Sequence, residues 1–261
     1  MPSINTMPLW EVCLFTVAMV LVSIACGYWA GTIRRKGSEG APEGPVGSVV
    51  GAVLGLLAFM LAFTFSMSAG RFDTRKQLLL DEVNAIGTAA LRAQLLPEPH
   101  RTECHDLLKQ YVDIRVAGVL DVQKLPQALK DSEVIQNQLW AHAVALARAD
   151  MNSDIGALFV ESLNELIDLH TSRATVALQY RIPPVIWAVL FALTILSMGG
   201  VGFQFGILGR FSIAVNLILA VSFALVIFLI ADLDRATTGL LKVSQAPMLE
   251  LQQKLSQPVT P

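Results

Sequence analysis

Residues 44–97 read GPVGSVVGAVLGLLAFMLAFTFSMSAGRFDTRKQLLLDEVNAIGTAALRAQLLP. Gly44–Gly70 carries no charged residue. An α-helix needs about 20 apolar residues to cross the hydrocarbon core of a bilayer, and this window exceeds that. No breaker follows. Phe72, Leu79, Val83, Ile86, Ala90 and Leu91 continue the apolar positions at helical spacing until Pro97-Glu98-Pro99 stops them. The stretch predicts one helix over 46–96 that spans a membrane and then leaves it.

Three further windows lack charge: Val12–Ile33, Ile182–Gly209 and Phe211–Ala231. A charged block, Arg71–Arg181, separates the second window from the third and belongs in water. The expected fold is all-α, with four transmembrane helices in two hairpins and a helical soluble insert between spans two and three. The predicted spans cover 8–33, 46–70, 183–203 and 211–231. The soluble domain covers 71–181 and a tail 232–261. Trp10 and Tyr28-Trp29 suit interface anchoring, and Arg34-Arg35-Lys36 marks the end of the first span. Gly37–Pro45 reads as a loop, and Gly202–Gly209 as the tight turn between the last two spans. The first window lacks the basic n-region of a signal peptide, and Glu11 stands at its entrance.

Within the insert, Cys104, Leu107, Leu108, Tyr111 and Val112 share a stripe on a helix over 101–120. Val134, Trp140, Ala143, Val144 and Ala147 do so on a helix over 126–150. Ser153 lies in an N-cap cluster that opens a helix carrying Ile155, Leu158, Phe159, Leu163, Leu166, Ile167 and Leu169. The tail from Thr237 has a short apolar stretch, expected to rest on the insert.

The composition narrows the function. The chain is 15% charged and 54% hydrophobic with a net charge of -2, which argues against nucleic-acid binding. Cys13, Cys26 and Cys104 form no disulfide framework, and no Cys/His spacing suits a metal. His100, His105, His142 and His170 fall in no catalytic frame, and no phosphate-binding loop or nucleophile elbow exists. Asp81-Glu82 and Glu161/Glu165 read as charged faces of amphipathic helices. Neither an enzyme nor a cofactor, nor a resident metal, is expected. The spans carry no mid-membrane charge of the kind a proton-coupled pump uses.

The second span holds the functional candidates. Gly47, Gly51 and Gly55 repeat at i+4 and allow close helix packing. Phe59, Phe63 and Met67 continue the same spacing as an apolar stripe able to ring an axis, or to face lipid. Thr64, Ser66 and Ser68 are polar candidates along a pore. Arg71, Arg75 and Lys76 would form a basic collar in a symmetric oligomer, or snorkel at the interface.

Arg71-Phe72, Arg75-Lys76, Val83-Asn84-Ala85 and Arg92, following the apolar helix, resemble the pore-helix segment of bestrophins, especially their bacterial relatives. Asp232-Leu233-Asp234 and Gly239-Leu240 look like a reduced form of the acidic segment after the last bestrophin span. Over nearly its whole length the chain resembles a bacterial bestrophin-like membrane family of undefined function, through Ala85–Thr88 and Leu91–Pro97. The bestrophin resemblance implies a homopentameric anion (chloride) channel lined by the second span, with Phe59 and Phe63 at neck positions. The dense acidic run of the animal calcium clasp is missing, so calcium gating does not carry over.

Positive charges near the span ends divide between Arg34, Arg35, Lys36 and Arg210 on one side and Arg71, Arg75, Lys76, Arg173, Arg181, Arg235 and Lys242 on the other. With the resemblance, this places the insert and both termini in the cytoplasm and the spans in the bacterial inner membrane. The expected partners are the lipid bilayer, small inorganic ions and further copies of the chain. The competing expectation is a non-conducting membrane scaffold or sensor whose insert binds a partner.

Overall fold

A computed structural model describes residues 7–37 and 45–257. The loop expected over Gly37–Pro45 lies almost wholly outside the described residues. Among those described, eight α-helices form and no strand appears. They are α1 (Leu9–Gly37), α2 (Val46–Ala93), α3 (His100–Leu120), α4 (Leu125–Ala149), α5 (Asp154–Leu178), α6 (Pro184–Leu208), α7 (Ile213–Asp234) and α8 (Ala246–Leu255). α1, α2, α6 and α7 are long and apolar enough to cross a membrane. The all-α, four-span expectation holds. The chain divides into two compact units, one of residues 1–72 with 181–241, the other of 73–180 with 242–261.

The membrane unit is built on a contact the sequence reading did not anticipate. Gly27 on α1 meets Gly199 on α6, and Gly31 meets Gly206, so closely that the two backbones touch. A β-carbon on Gly202 would strike the carbonyl of Ile24, and one on Gly206 the carbonyl of Tyr28. Lipid offers no hydrophobic driving force between helices, so small residues that admit dense van der Waals contact hold the pair together. The same contact explains why α6 runs to Leu208, through the Gly202–Gly209 segment expected to be a turn. Gly202 and Gly206 each face a neighbouring backbone, and the chain turns only at Gly209, the C-cap, with φ of 68°.

α1 likewise runs past the expected end at Ile33 to Gly37, taking Arg34, Arg35 and Lys36 into its last turn, where cations favour the helix C-terminus. The rest of the membrane core brings Val20 and Ile24 together with Leu57, Leu61, Leu190, Met198 and Ile227. Three buried hydroxyls, on Thr16, Thr64 and Thr194, each donate to the carbonyl four residues back at 2.7–2.8 Å. This satisfies them where water is absent.

The soluble unit packs α3, α4, α5, α8 and the distal part of α2 around one apolar core. Leu79, Ile86 and Ala89 meet Leu108, Val112, Leu139, Phe159, Leu163 and Leu166 there. Cys104 lies in that core, and burial pushes its thiol up to about 12, so it is a packing residue. Ser153 Oγ accepts from Gly156 N at 3.1 Å, as the N-cap cluster predicts. α2 stops being α-helical at Ala93, short of the expected 96, because Gln94, Leu95 and Leu96 bond back three residues instead of four.

One expectation is corrected. Of the predicted α4 stripe only Ala143 is fully buried. Val134, Trp140 and Ala147 are exposed, while Ala128, Ser132, Ile135, Leu139 and Ala143 face inward. The residues at i+3 and i+4 from Ala128 form a stripe of smaller side chains. The bulk of Trp140 drew the sequence reading onto the neighbouring face. The tail rests on the insert, as its apolar stretch predicts. It forms α8, whose Met248, Leu251 and Leu255 join the soluble core at i+3 and i+4 spacing.

Candidate functional site

α2 is the least covered of the four spans. Only 17% of its apolar window is buried, against 28%, 39% and 28% for α1, α6 and α7. Phe59 and Phe63 are 65% and 52% exposed. Gly55 and Gly51, one and two turns before Phe59, have nothing within 4 Å of a notional β-carbon. Gly47 differs, since its β-carbon would lie 3.2 Å from Gln204 Nε2 on α6. The series Gly51, Gly55, Phe59, Phe63 is thus a row that the described residues leave largely uncovered. Met67 continues it half-buried. Of the polar candidates, Ser66 is exposed, whereas Thr64 and Ser68 are buried and sit away from the row.

The three basic candidates have different surroundings. Arg71 Nη1 donates to Asp234 Oδ1 at 3.0 Å, and Arg71 Nη2 lies 3.6 Å from the Met67 sulfur. Arg75 is buried. Lys76 is exposed, 3.4 Å from Asp73. Asp234 also accepts from the Ile182 backbone N–H, at 3.1 and 3.2 Å to its two oxygens, while its own carbonyl accepts from Arg181. Asp232 accepts from the N–H groups of Leu240 and Leu241. The acidic pair after the last span therefore serves as structural acceptors, and Arg71 is partly neutralised.

In the soluble unit, a charged centre is hidden where the sequence reading placed a solvated face. Glu82 on α2 is fully buried. Arg115 on α3 donates to it through Nη2, 3.3 Å from Oε2, and its Nε lies 3.0 Å from Oε1 as an ion-pair contact. Arg173 Nη1 on α5 also donates to Oε2, and its Nη2 donates to Gln245 Oε1 at 3.0 Å. Burial disfavours the Glu82 carboxylate, yet the two guanidiniums outweigh burial and hold its pKa below the usual carboxylate range. Tyr111 Oη donates to Glu82 Oε1 at 3.0 Å. Its single proton is then committed, so the 3.1 Å contact between Tyr111 Oη and His170 Nδ1 has the imidazole as donor.

Burial followed by the nearby Arg115 charge lowers His170 to about 4, so the imidazole is neutral at pH 7. A histidine depressed in the fold stabilises above its unfolded pKa and loses that contribution as pH falls. Glu82, Arg115, Arg173 and Tyr111 are the groups that face it. Relative to a His170→Gln variant, the wild-type soluble unit is expected to lose stability as pH drops from about 6.5 towards about 4, read by thermal unfolding at a series of pH values.

Glu82 was legible in principle. It stands three residues after Leu79 and four before Ile86, inside the apolar stripe. Arg115 follows Cys104, Leu108 and Tyr111 in the same manner.

The Bestrophin-like domain family model matches residues 13–248. No curated protein matches the sequence. Among solved structures, the bacterial bestrophin homologue from Klebsiella pneumoniae, phased on zinc, is similar with a TM-score of 0.65 at 17% identity, covering 95% of this chain and 97% of that one. A variant of the same homologue gives a TM-score of 0.64 at 16% identity over 94% and 96% of the two chains. A structure described only as a membrane protein variant gives 0.68 at 17% over 96% and 98%. At such identity these structures speak to the fold. With four apolar spans and a family match running from the first span into α8, the chain is an integral membrane protein that belongs to the bestrophin-like family.

Proposed function

We propose that this chain is the subunit of an oligomeric ion channel with a preference for anions, its pore lined by α2. The observation that carries the reading is the uncovered row Gly51, Gly55, Phe59, Phe63. Residues four apart on a helix are offset by about 40°, so the row sweeps about 120° between Gly51 and Phe63. The glycines then face a neighbouring copy of α2, which they allow to approach closely. The phenylalanines face the symmetry axis as a hydrophobic constriction, with exposed Ser66 a turn further on. A scaffold would pack this row against its own helices or leave it to lipid, without a polar path beside it.

Anion preference rests on the basic run Arg71, Arg75 and Lys76. Five copies, a cytoplasmic insert and the inner membrane are part of the same proposal, supported by the family resemblance and the distribution of Lys and Arg.

Reconstitution of the purified protein into planar bilayers tests this reading. A chloride gradient is expected to give currents that reverse near the chloride equilibrium potential. Phe59→Ala with Phe63→Ala is expected to raise the current per oligomer by widening the constriction. An intact oligomer that passes no current in any salt would end the channel reading.

A further inference from the structure

We infer that His100 and His142 form a binding site for a divalent transition-metal ion such as Zn2+, with Glu103 as a third ligand. The inference is independent of conduction. The two imidazoles come from the start of α3 and from α4, and their Nδ1 atoms are 3.0 Å apart. Their rings are edge to face, with centroids 5.3 Å apart. Zn2+ binds imidazole nitrogen at about 2.0–2.1 Å, so two nitrogens at a tetrahedral angle stand about 3.3 Å apart. The pair needs to open by only a few tenths of an ångström.

Glu103 Oε2 lies 3.6 Å from His142 Nδ1, also close to a ligand–ligand spacing. Among the described residues, no three His, Cys, Asp or Glu side chains are gathered around one point. The site is thus a two-imidazole one that Glu103 completes by turning, with water in the open position. Glu103 is 54% exposed and His142 20%, which leaves an entry path for the ion. The N-terminus of α3 opposes a cation, and the Glu103 carboxylate in that first turn offsets it.

Without metal, the 3.0 Å contact requires one Nδ1 to donate and the other to accept. Metal binding through both Nδ1 atoms moves that donor's proton to Nε2, leaving both rings neutral. The sequence shows no frame for the site because the two histidines are separated by a helix and a turn.

The test uses full-length protein in detergent without a polyhistidine tag. Titration with Zn2+ alone, followed calorimetrically, is expected to show one ion bound per chain. His100→Ala and His142→Ala should each abolish that binding, and Glu103→Gln should weaken it about tenfold. Because a histidine variant can misfold, substoichiometric Cu2+ on the wild type gives a second reading. Its electron paramagnetic resonance spectrum should show two coordinated imidazole nitrogens. Absence of Zn2+ binding, wild-type affinity in His142→Ala, or fewer than two imidazole nitrogens on Cu2+ would overturn the inference.

Discussion

Glu82→Ala is expected to cost the soluble unit about 3–5 kcal/mol, because it leaves buried guanidiniums without their counter-charge. Arg115 is nearly fully buried, and its hydrogen bond to Glu82 is gone in that variant. A loss of this size is a large part of the 5–15 kcal/mol that stabilises a typical domain, so the unit should open. Hydrogen–deuterium exchange on peptides from α3 and α5 in the full chain reports it, with protection lost there and kept in α6 and α7. The triple variant Glu82→Leu, Arg115→Met, Arg173→Met separates charge from packing. Replacing a whole buried ionic group by apolar residues is often neutral or stabilising, so this variant should recover most of the protection. If Glu82→Ala exchanges like the wild type, the buried centre is not holding the unit together.

The second large effect lies in the membrane. Gly202→Leu should prevent α1 and α6 from packing, since even a β-carbon would lie 2.8 Å from the Ile24 carbonyl carbon and 2.9 Å from its α-carbon. Overpacking costs about 1–3 kcal/mol where side chains can shift, and this obstacle is backbone, so the loss should reach or exceed the top of that range. The expected result is aggregated or proteolysed protein after extraction, measured as the monodisperse fraction on size exclusion. Gly51→Leu and Gly55→Leu are the internal comparison. Open space surrounds both within one chain, so each subunit should fold. If the glycines admit a neighbouring α2, these two variants should lose the oligomer while keeping the subunit. An unchanged oligomer would remove Gly51 and Gly55 from the interface.

The fold was legible from charge distribution alone because lipid imposes one rule: a segment that crosses it must be long, apolar and helical. The boundaries were less legible. Arg34-Arg35-Lys36 ends the apolar window of α1 without ending the helix, and glycine in α6 marks a helix contact instead of a turn. A glycine in isolation carries both meanings, and only the facing backbone decides. Leu79, Leu108 and Leu163 announced the soluble core by their spacing, whereas Glu82, Arg115 and Arg173 were assigned to water because charge is normally exposed. Their burial became affordable through partners distant in sequence, which no local pattern displays. The uncovered phenylalanine row was visible as a stripe, but its exposure was not, since any stripe can be covered by a neighbour from the same chain.

Asp234 has a mechanical consequence. Its carboxylate takes the Arg71 guanidinium from the end of the second span, the Ile182 amide from the entrance to the third, and belongs to the last turn of the fourth. Three helix ends are pinned to one pair of oxygens. Slipping the second span along the fourth by a helical turn, about 5.4 Å, breaks the Arg71 bond, and slipping the third breaks those from Ile182. One carboxylate therefore couples the axial positions of three spans at this end of the bundle.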